Sequence, residues 1–87
     1  MNKHRFWWDQ QNIEHIAEHG VEPYEAEYVI RYTKSHRRGP DGKYVVMGQT
    51  DSGRYLMVVF APKGDNRLRV ITARDLTPKE KSSIRKN

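Results

Sequence analysis

Apolar residues in the first third of the chain recur with the three-to-four-residue spacing of amphipathic helices. Two such stripes follow one another: Ile13, Ile16 and Ala17, then Ala26, Val29 and Ile30. Asp9 is a natural N-cap before the first stripe, and Gly20 can adopt the positive φ of a helix C-cap. The pattern predicts a first helix over about Gln10 to His19 and a second that opens at Glu22-Pro23 and runs to about Arg31.

The middle of the chain is rich in β-branched and aromatic residues, with glycine-containing turns between the runs. Three strands are predicted: Lys43 to Gln49, Arg54 to Ala61 and Arg67 to Ala73. The connections between them have hairpin length, which favours an antiparallel meander. Residues Tyr55 to Phe60 are apolar on both faces, so we expect this strand at the centre of a sheet that is covered on both sides.

The remaining segments complete the order of elements. Arg5 to Trp8 suits a short first strand, while Thr33 to Arg38 fits either an irregular strand or a basic loop. Thr77-Pro78-Lys79-Glu80 combines an N-cap, a first-turn proline and the acidic residue of a capping box, which predicts a short final helix. We therefore expect one α+β domain over residues 1–87, ordered β-α-α, then three or four antiparallel strands, then a short C-terminal helix, because a chain of this length is too short for two cores.

The composition narrows the classes of partner. Sixteen Lys and Arg against 11 Asp and Glu give a net charge of +5, which favours polyanions, although charge alone does not distinguish RNA, DNA and an acidic protein. The lack of cysteine excludes disulfides and thiolate metal sites. The only apolar run near the start, Phe6-Trp7-Trp8, ends at Asp9 and is too short for a signal peptide or a membrane span, so we expect a cytoplasmic protein without a membrane anchor.

One histidine pair raises the question of a metal. His15-Ile16-Ala17-Glu18-His19 has the H-x-x-E-H spelling of an inverted zinc-protease motif, with both imidazoles on one helix face. Zinc would also need a third protein ligand and an open coordination position within a substrate cleft, which so small a body can hardly enclose. The interpretation as a zinc hydrolase is therefore disfavoured, and we expect neither a metal nor a cofactor.

Arginines on the predicted strands form a second candidate group. They are Arg54, Arg67, Arg69 and Arg74. Forked guanidinium donors match phosphate geometry, and several on one sheet face would hold a phosphodiester and stabilise the charge that develops as it is cleaved. Strict alternation puts Arg67 and Arg69 on one face and Arg74 on the other unless the strand bends or ends before it, so the sequence leaves their convergence open.

His19 and Glu80 are candidates for acid–base chemistry. RNA carries its own nucleophile in the 2′-hydroxyl, so a ribonuclease needs only a group that removes that proton, a group that protonates the leaving 5′-oxygen, and cations around the phosphate. Such a mechanism requires no metal. Both residues also fit structural roles, His19 near a helix C-terminus and Glu80 in a capping box.

Several of these segments together resemble the BrnT family of toxins. The matching stretches, in order, are Trp8-Asp9, His19-Gly20-Val21, Gly48, Gly53 to Val59, Arg69 to Arg74 and Glu80. The resemblance covers nearly the whole chain. It implies a RelE-like fold, metal-independent endoribonuclease activity on RNA, and membership of a type II toxin–antitoxin pair whose partner is a ribbon-helix-helix antitoxin.

The same resemblance implies which residues carry the activity. Arg54, Arg69 and Arg74 fall on the family's arginine positions, His19 on its His-Gly pair and Glu80 on the glutamate of its last helix. This chain differs from many members in having Glu18 before the His-Gly pair and Ile84 four residues after Glu80. The alternative hypothesis is a non-catalytic module that binds nucleic acid or protein on the same fold.

Overall fold

A computed structural model describes residues 5–85 of the chain. Its elements are β1 (Arg5–Trp7), α1 (Gln10–Ala17), α2 (Pro23–Tyr32), β2 (His36–Arg38), β3 (Tyr44–Gln49), β4 (Tyr55–Gly64), β5 (Arg67–Asp75) and α3 (Pro78–Arg85). The predicted α+β class and order of elements are confirmed. The segment that the sequence left open contains a short strand, β2.

Helix α1 begins as the sequence predicts and ends two residues early. The Asp9 carboxylate accepts the first-turn N–H of Asn12 at 2.8 Å. At the other end, His19 N–H and Gly20 N–H bond to carbonyls three residues back, and Gly20 adopts φ +70°. His19 therefore lies in a tight turn between α1 and α2 and not inside the helix.

The sheet has five strands in the order β1-β5-β4-β3-β2. Strands β2 to β5 run antiparallel, as predicted. β1 adds a fifth strand by pairing in parallel with β5, with Trp7 opposite Arg69. The four strands after α2 agree with the predicted antiparallel strands, but the whole sheet is five-stranded and mixed. The sequence did not predict the pairing of β1, because local pattern does not specify which distant edge a strand will join.

One face of the sheet, with α1 and α2 against it, forms the core. Its fully buried side chains include Ile16 and Ile30 from the helices, and Leu56, Val58 and Phe60 from β4. β4 lies in the middle of the sheet, as its apolar sequence predicts.

The opposite face, which we call the open face, has a partial cover. Met57 and Val59, whose side chains point to it, are only half-buried, so the expected cover on both sides is incomplete among residues 5–85. Helix α3 lies at one end of this face, where Ile84 lines an open groove of about 310 Å³ with Val45 and Met47. None of the helices within residues 5–85 is long and apolar enough to cross a bilayer.

Candidate active site at the end of strand β5

A bulge in β5 decides which arginines share a face. β4 alternates regularly, with Ala61 opposite Arg69 and Met57 opposite Arg74, but the pairing passes from Val70 directly to Thr72 and leaves Ile71 without a partner. The extra residue shifts the alternation of β5 by one position. Arg69 and Arg74 therefore both project from the open face, although strict alternation would separate them.

Arg54 is held at the turn between α1 and α2. Its Nε and Nη2 donate to the two carboxylate oxygens of Asp75 at 2.7 and 3.1 Å, and Nη1 donates to Glu25 at 3.1 Å. Nη1 and Nη2 also donate to the backbone carbonyls of Gly20 at 2.7 Å and His19 at 3.3 Å. All five guanidinium N–H groups are thus engaged by protein acceptors.

The Arg54 contacts fix the protonation states of the pair. The hydrogen bond from Arg54 is the main cause that lowers the pKa of Asp75, and the hydrogen bond to Asp75 is the main cause that raises the pKa of Arg54. Glu25 is the more buried partner, with only 10% of its side chain exposed. Arg54 therefore neutralises a carboxylate that would otherwise be buried without a cation.

Arg74 and Glu80 form a separate ion pair on the open face. Nη1 and Nη2 donate to Oε1 and Oε2, each at 2.9 Å. Glu80 also accepts the N–H of Thr77 at 2.9 Å, while its own N–H donates to the Thr77 hydroxyl, which confirms the predicted capping box. The hydrogen bond from Arg74, followed by that from Thr77, lowers the pKa of Glu80 to about 2.

Asp75 joins these two ion pairs into one network. Its carboxylate binds Arg54, and its backbone carbonyl accepts from Arg74 at 3.0 Å. Four of the five predicted site residues are therefore connected around the end of β5. Arg54, Arg74 and Glu80 take part through their side chains, and His19 takes part only through its backbone carbonyl. The network contains two guanidiniums and three carboxylates, so its positive charge is already compensated within the protein.

Arg69 lies outside this network. Its partner on β4 is four residues from the partner of Arg74, which corresponds to roughly 13 Å along the sheet. Its side chain is exposed, and no carboxylate within residues 5–85 forms an ion pair with it. Arg69 is thus an uncompensated cation on the same face as Arg74 but at a separate position.

His15 accompanies His19 beside the network. The two imidazole rings meet edge to face with centroids 5.9 Å apart, and both side chains are exposed. His15 Nε2 also lies 3.2 Å from the hydroxyl of Thr72. Within residues 5–85 no group of three His, Asp or Glu side chains has the arrangement of a metal site, so the zinc alternative lacks a third ligand there.

Sequence reasoning missed three residues of this site. Glu25 lies on a helix face, and nothing in the sequence indicated that it would be buried. Asp75 has the pattern of a polar residue that ends a strand, so there was no reason to place it in the site. His15 was considered only as a zinc ligand. The spacing of His15 and His19 did place both rings on one side of α1, but nothing in the sequence indicated that the end of β5 would lie beside them.

Comparisons with known proteins agree with this architecture. The family model described as "Ribonuclease toxin, BrnT, of type II toxin-antitoxin system" matches residues 7–80. A crystal structure of the ribonuclease toxin BrnT from Brucella abortus superposes with a TM-score of 0.70 and 20% identity, covering 86% of this chain and 99% of that one. The search of curated protein sequences gave no match. Since the family model spans most of the chain, including the network at the end of β5, the chain belongs to the BrnT family of ribonuclease toxins of type II toxin–antitoxin systems.

Proposed function

We propose that this protein is a metal-independent endoribonuclease that cleaves RNA through attack of the 2′-hydroxyl on the adjacent phosphate. The observation that carries the proposal is the network that connects His19, Arg54, Arg74 and Glu80 at one end of β5. It joins the backbone of the turn that carries His19 to a carboxylate and two guanidiniums. An imidazole, a carboxylate and cations are the groups that such a reaction needs. The RelE-like relationship stays a prediction of the sequence resemblance.

The proposed proton transfers start from the charge state of Glu80. Glu80, with a pKa of about 2, is ionised near neutral pH and can only accept a proton, so we assign it the proton of the 2′-hydroxyl. The O2′–P bond then forms while the P–O5′ bond breaks. Protonated His19 gives its proton to the 5′-oxygen, which leaves a 2′,3′-cyclic phosphate and a 5′-hydroxyl end.

The arginines take different roles in this mechanism. Arg74 is the phosphate-binding group, and a phosphate that draws it away from Glu80 removes the main cause of the low pKa and makes the carboxylate a better base. Arg54 acts as a positioning residue, because its five donors already hold the His19 turn, Glu25 and Asp75. Arg69, about 13 Å away along the sheet, binds a different phosphate of the same RNA.

The partners follow from the family. A type II system pairs the toxin with a protein antitoxin, and we propose that this antitoxin has a ribbon-helix-helix fold. The substrate is RNA, which a protein of net charge +5 attracts at long range. A toxin that acts on cellular RNA works in the cytoplasm, where we place this protein.

The test is cleavage of RNA by purified protein with and without excess EDTA. We expect equal rates in both, products that end in a 2′,3′-cyclic phosphate, and a rate lowered about a hundredfold by Arg74→Ala. Arg38→Ala is the matched control, since it removes an exposed positive charge from β2, the opposite edge strand. Cleavage that EDTA abolishes, or that Arg74→Ala leaves unchanged, would overturn the proposal.

In a bacterial host, induced expression should arrest growth, and the Arg74 variant should relieve the arrest.

One observation favours a second candidate function, a binding module without turnover. The network has more carboxylates than guanidiniums, and every Arg54 donor is occupied. Tight, salt-sensitive RNA binding with no cleavage product would select this alternative.

A further inference from the structure

A second cluster of cations lies on the open face, at the start of β5 and away from the network. Pairing places Trp7 beside Arg69, and Arg5 beside Arg67, on the same side of the sheet. Lys63, in the neighbouring strand β4, projects to this side as well and reaches across β5, so that its ammonium lies 4.0 Å from the centroid of the Trp7 ring. We call these five residues, Arg5, Trp7, Lys63, Arg67 and Arg69, the tryptophan patch.

The tryptophan patch is largely uncompensated and accessible. Arg5, Lys63 and Arg69 are exposed, and Trp7 is half-buried. The only carboxylate paired with the patch among residues 5–85 is that of Asp65, 3.6 Å from Arg67. Four cations around one aromatic ring therefore face solvent with a single carboxylate beside them, in contrast to the network at the other end of β5.

We propose that the tryptophan patch is a subsite for single-stranded RNA, in which a nucleobase stacks on Trp7 while Arg69 and Lys63 bind the flanking phosphates. An aromatic ring among cations on a sheet face is the chemistry that single strands use, because every base has a π-face and every linkage a charge. The ammonium of Lys63 marks the face of the ring that the base takes, and its flexible side chain swings to a phosphate when the base arrives. An acidic protein would satisfy the cations but would leave the indole ring beneath Lys63 without a stacking partner.

This inference rests on the proposed function, because it extends the path of the same RNA. Arg69 and Arg74 project from one face about 13 Å apart, which is roughly four nucleotides at the 3.4 Å spacing of a stacked strand. An RNA cleaved at the network therefore reaches the tryptophan patch only if it extends several nucleotides to one side. The subsite acts on long substrates and leaves dinucleotides unaffected.

The experiment separates binding from cleavage. Fluorescence anisotropy is measured with an RNA of about ten nucleotides, more than twice the span, whose 2′-hydroxyls are methylated to prevent cleavage. Trp7→Ala should weaken binding on the order of tenfold, Trp7→Phe should restore most of it, and Lys63→Ala and Arg69→Ala should each reduce the salt dependence by about one phosphate contact. Tyr24→Ala and Arg38→Ala are the matched controls, since they remove an exposed aromatic ring from α2 and an exposed cation from β2.

Cleavage supplies the second readout. Trp7→Ala should raise KM for a long RNA and leave dinucleotide cleavage unchanged. An equal loss of cleavage rate on both substrates would show that Trp7 only supports the fold, and would overturn the subsite. Unchanged RNA affinity of Trp7→Ala in the anisotropy measurement would also overturn the subsite. So would a protein that binds polyglutamate instead of RNA and loses that binding in Trp7→Ala. Absence of any cleavage by the wild-type protein would count against the proposed function alone, because the anisotropy measurement still tests the subsite.

Discussion

Arg74 and Glu80 face each other as a two-pronged ion pair, in which each terminal nitrogen of the guanidinium donates to one carboxylate oxygen at 2.9 Å. The same carboxylate closes the first turn of α3 through the N–H of Thr77. One contact therefore links the helix start, which the sequence predicts, to the candidate phosphate-binding arginine. Loss of Glu80 should affect stability and catalysis through the same atoms.

The stability contributed by Glu80 should depend on pH in the acid range. Its pKa is lowered from 4.5 to about 2 by the hydrogen bond from Arg74, so the contribution is complete above about pH 4.5 and is lost as pH falls through 2. Because the pair is partly exposed, we expect Glu80→Gln to lower Tm near neutral pH by only about 2 to 4 °C. The difference from wild type should close near pH 2 in thermal melts followed by circular dichroism. A difference that stays constant from pH 7 to pH 2 would show that the charge contributes nothing.

Arg54 should contribute to stability more than any other predicted site arginine. Arg54→Ala leaves the Glu25 carboxylate, 10% exposed, without a cation and releases two turn carbonyls, which should cost about 2 to 4 kcal/mol of unfolding free energy. Arg69→Ala should change the free energy of unfolding by less than about 0.5 kcal/mol, because the Arg69 side chain is exposed. Urea denaturation measures both. Adding Glu25→Gln to Arg54→Ala should cost less than the sum of the single changes, and strict additivity would contradict the contact.

Gly48 should tolerate no side chain, for a reason other than backbone conformation. A Cβ at this position would overlap Thr33 Oγ1 and lie 3.2 Å from Thr33 Cβ, where the chain leaving α2 crosses β3. We expect Gly48→Ala to destabilise the fold by about 1 to 3 kcal/mol, and a second change, Thr33→Ala, to recover part of the loss. Gly39→Ala is the control, because its nearest neighbour would lie at 3.6 Å. Equal stabilities of the two alanine variants in urea would refute the close approach.

The pH dependence of cleavage should identify the proton-transfer groups. If Glu80 is the base, its low pKa keeps it ionised through the accessible range, so the rate profile should show no acid limb near neutrality. His19→Gln should then lower kcat by about a hundredfold or more. A bell-shaped profile with both limbs near neutrality would instead point to a second imidazole. In that case His15→Asn, which removes the ring 5.9 Å from His19, should abolish one limb.

Much of the candidate site was accessible from local sequence. The capping-box spelling predicted that Glu80 would bond to Thr77, since such bonds close within one helical turn. Periodicity and turn residues placed His19 near the end of a helix and Arg69 and Arg74 on one strand. They placed Arg54 at the start of another strand, and it lies directly before β4. Their joining through Asp75 did not follow from the sequence. The Asp75 carboxylate binds Arg54, which is 21 residues away, and the Arg74 side chain bends back to the Asp75 carbonyl.

The sequence by itself determined the helices, the meander, the apolar central strand and the excess of positive charge. Each of these depends on composition or on the spacing of residues a few positions apart. Only the tertiary structure decided that β1 would pair in parallel with β5 and that an unpaired Ile71 would turn Arg69 and Arg74 to the same face. Register, bulges and strand order are set by the packing of the whole sheet against α1 and α2, and a shift of one residue reverses every side chain beyond it. For this protein, that single shift puts Arg74 of the network and Arg69 of the tryptophan patch on the same face of the sheet.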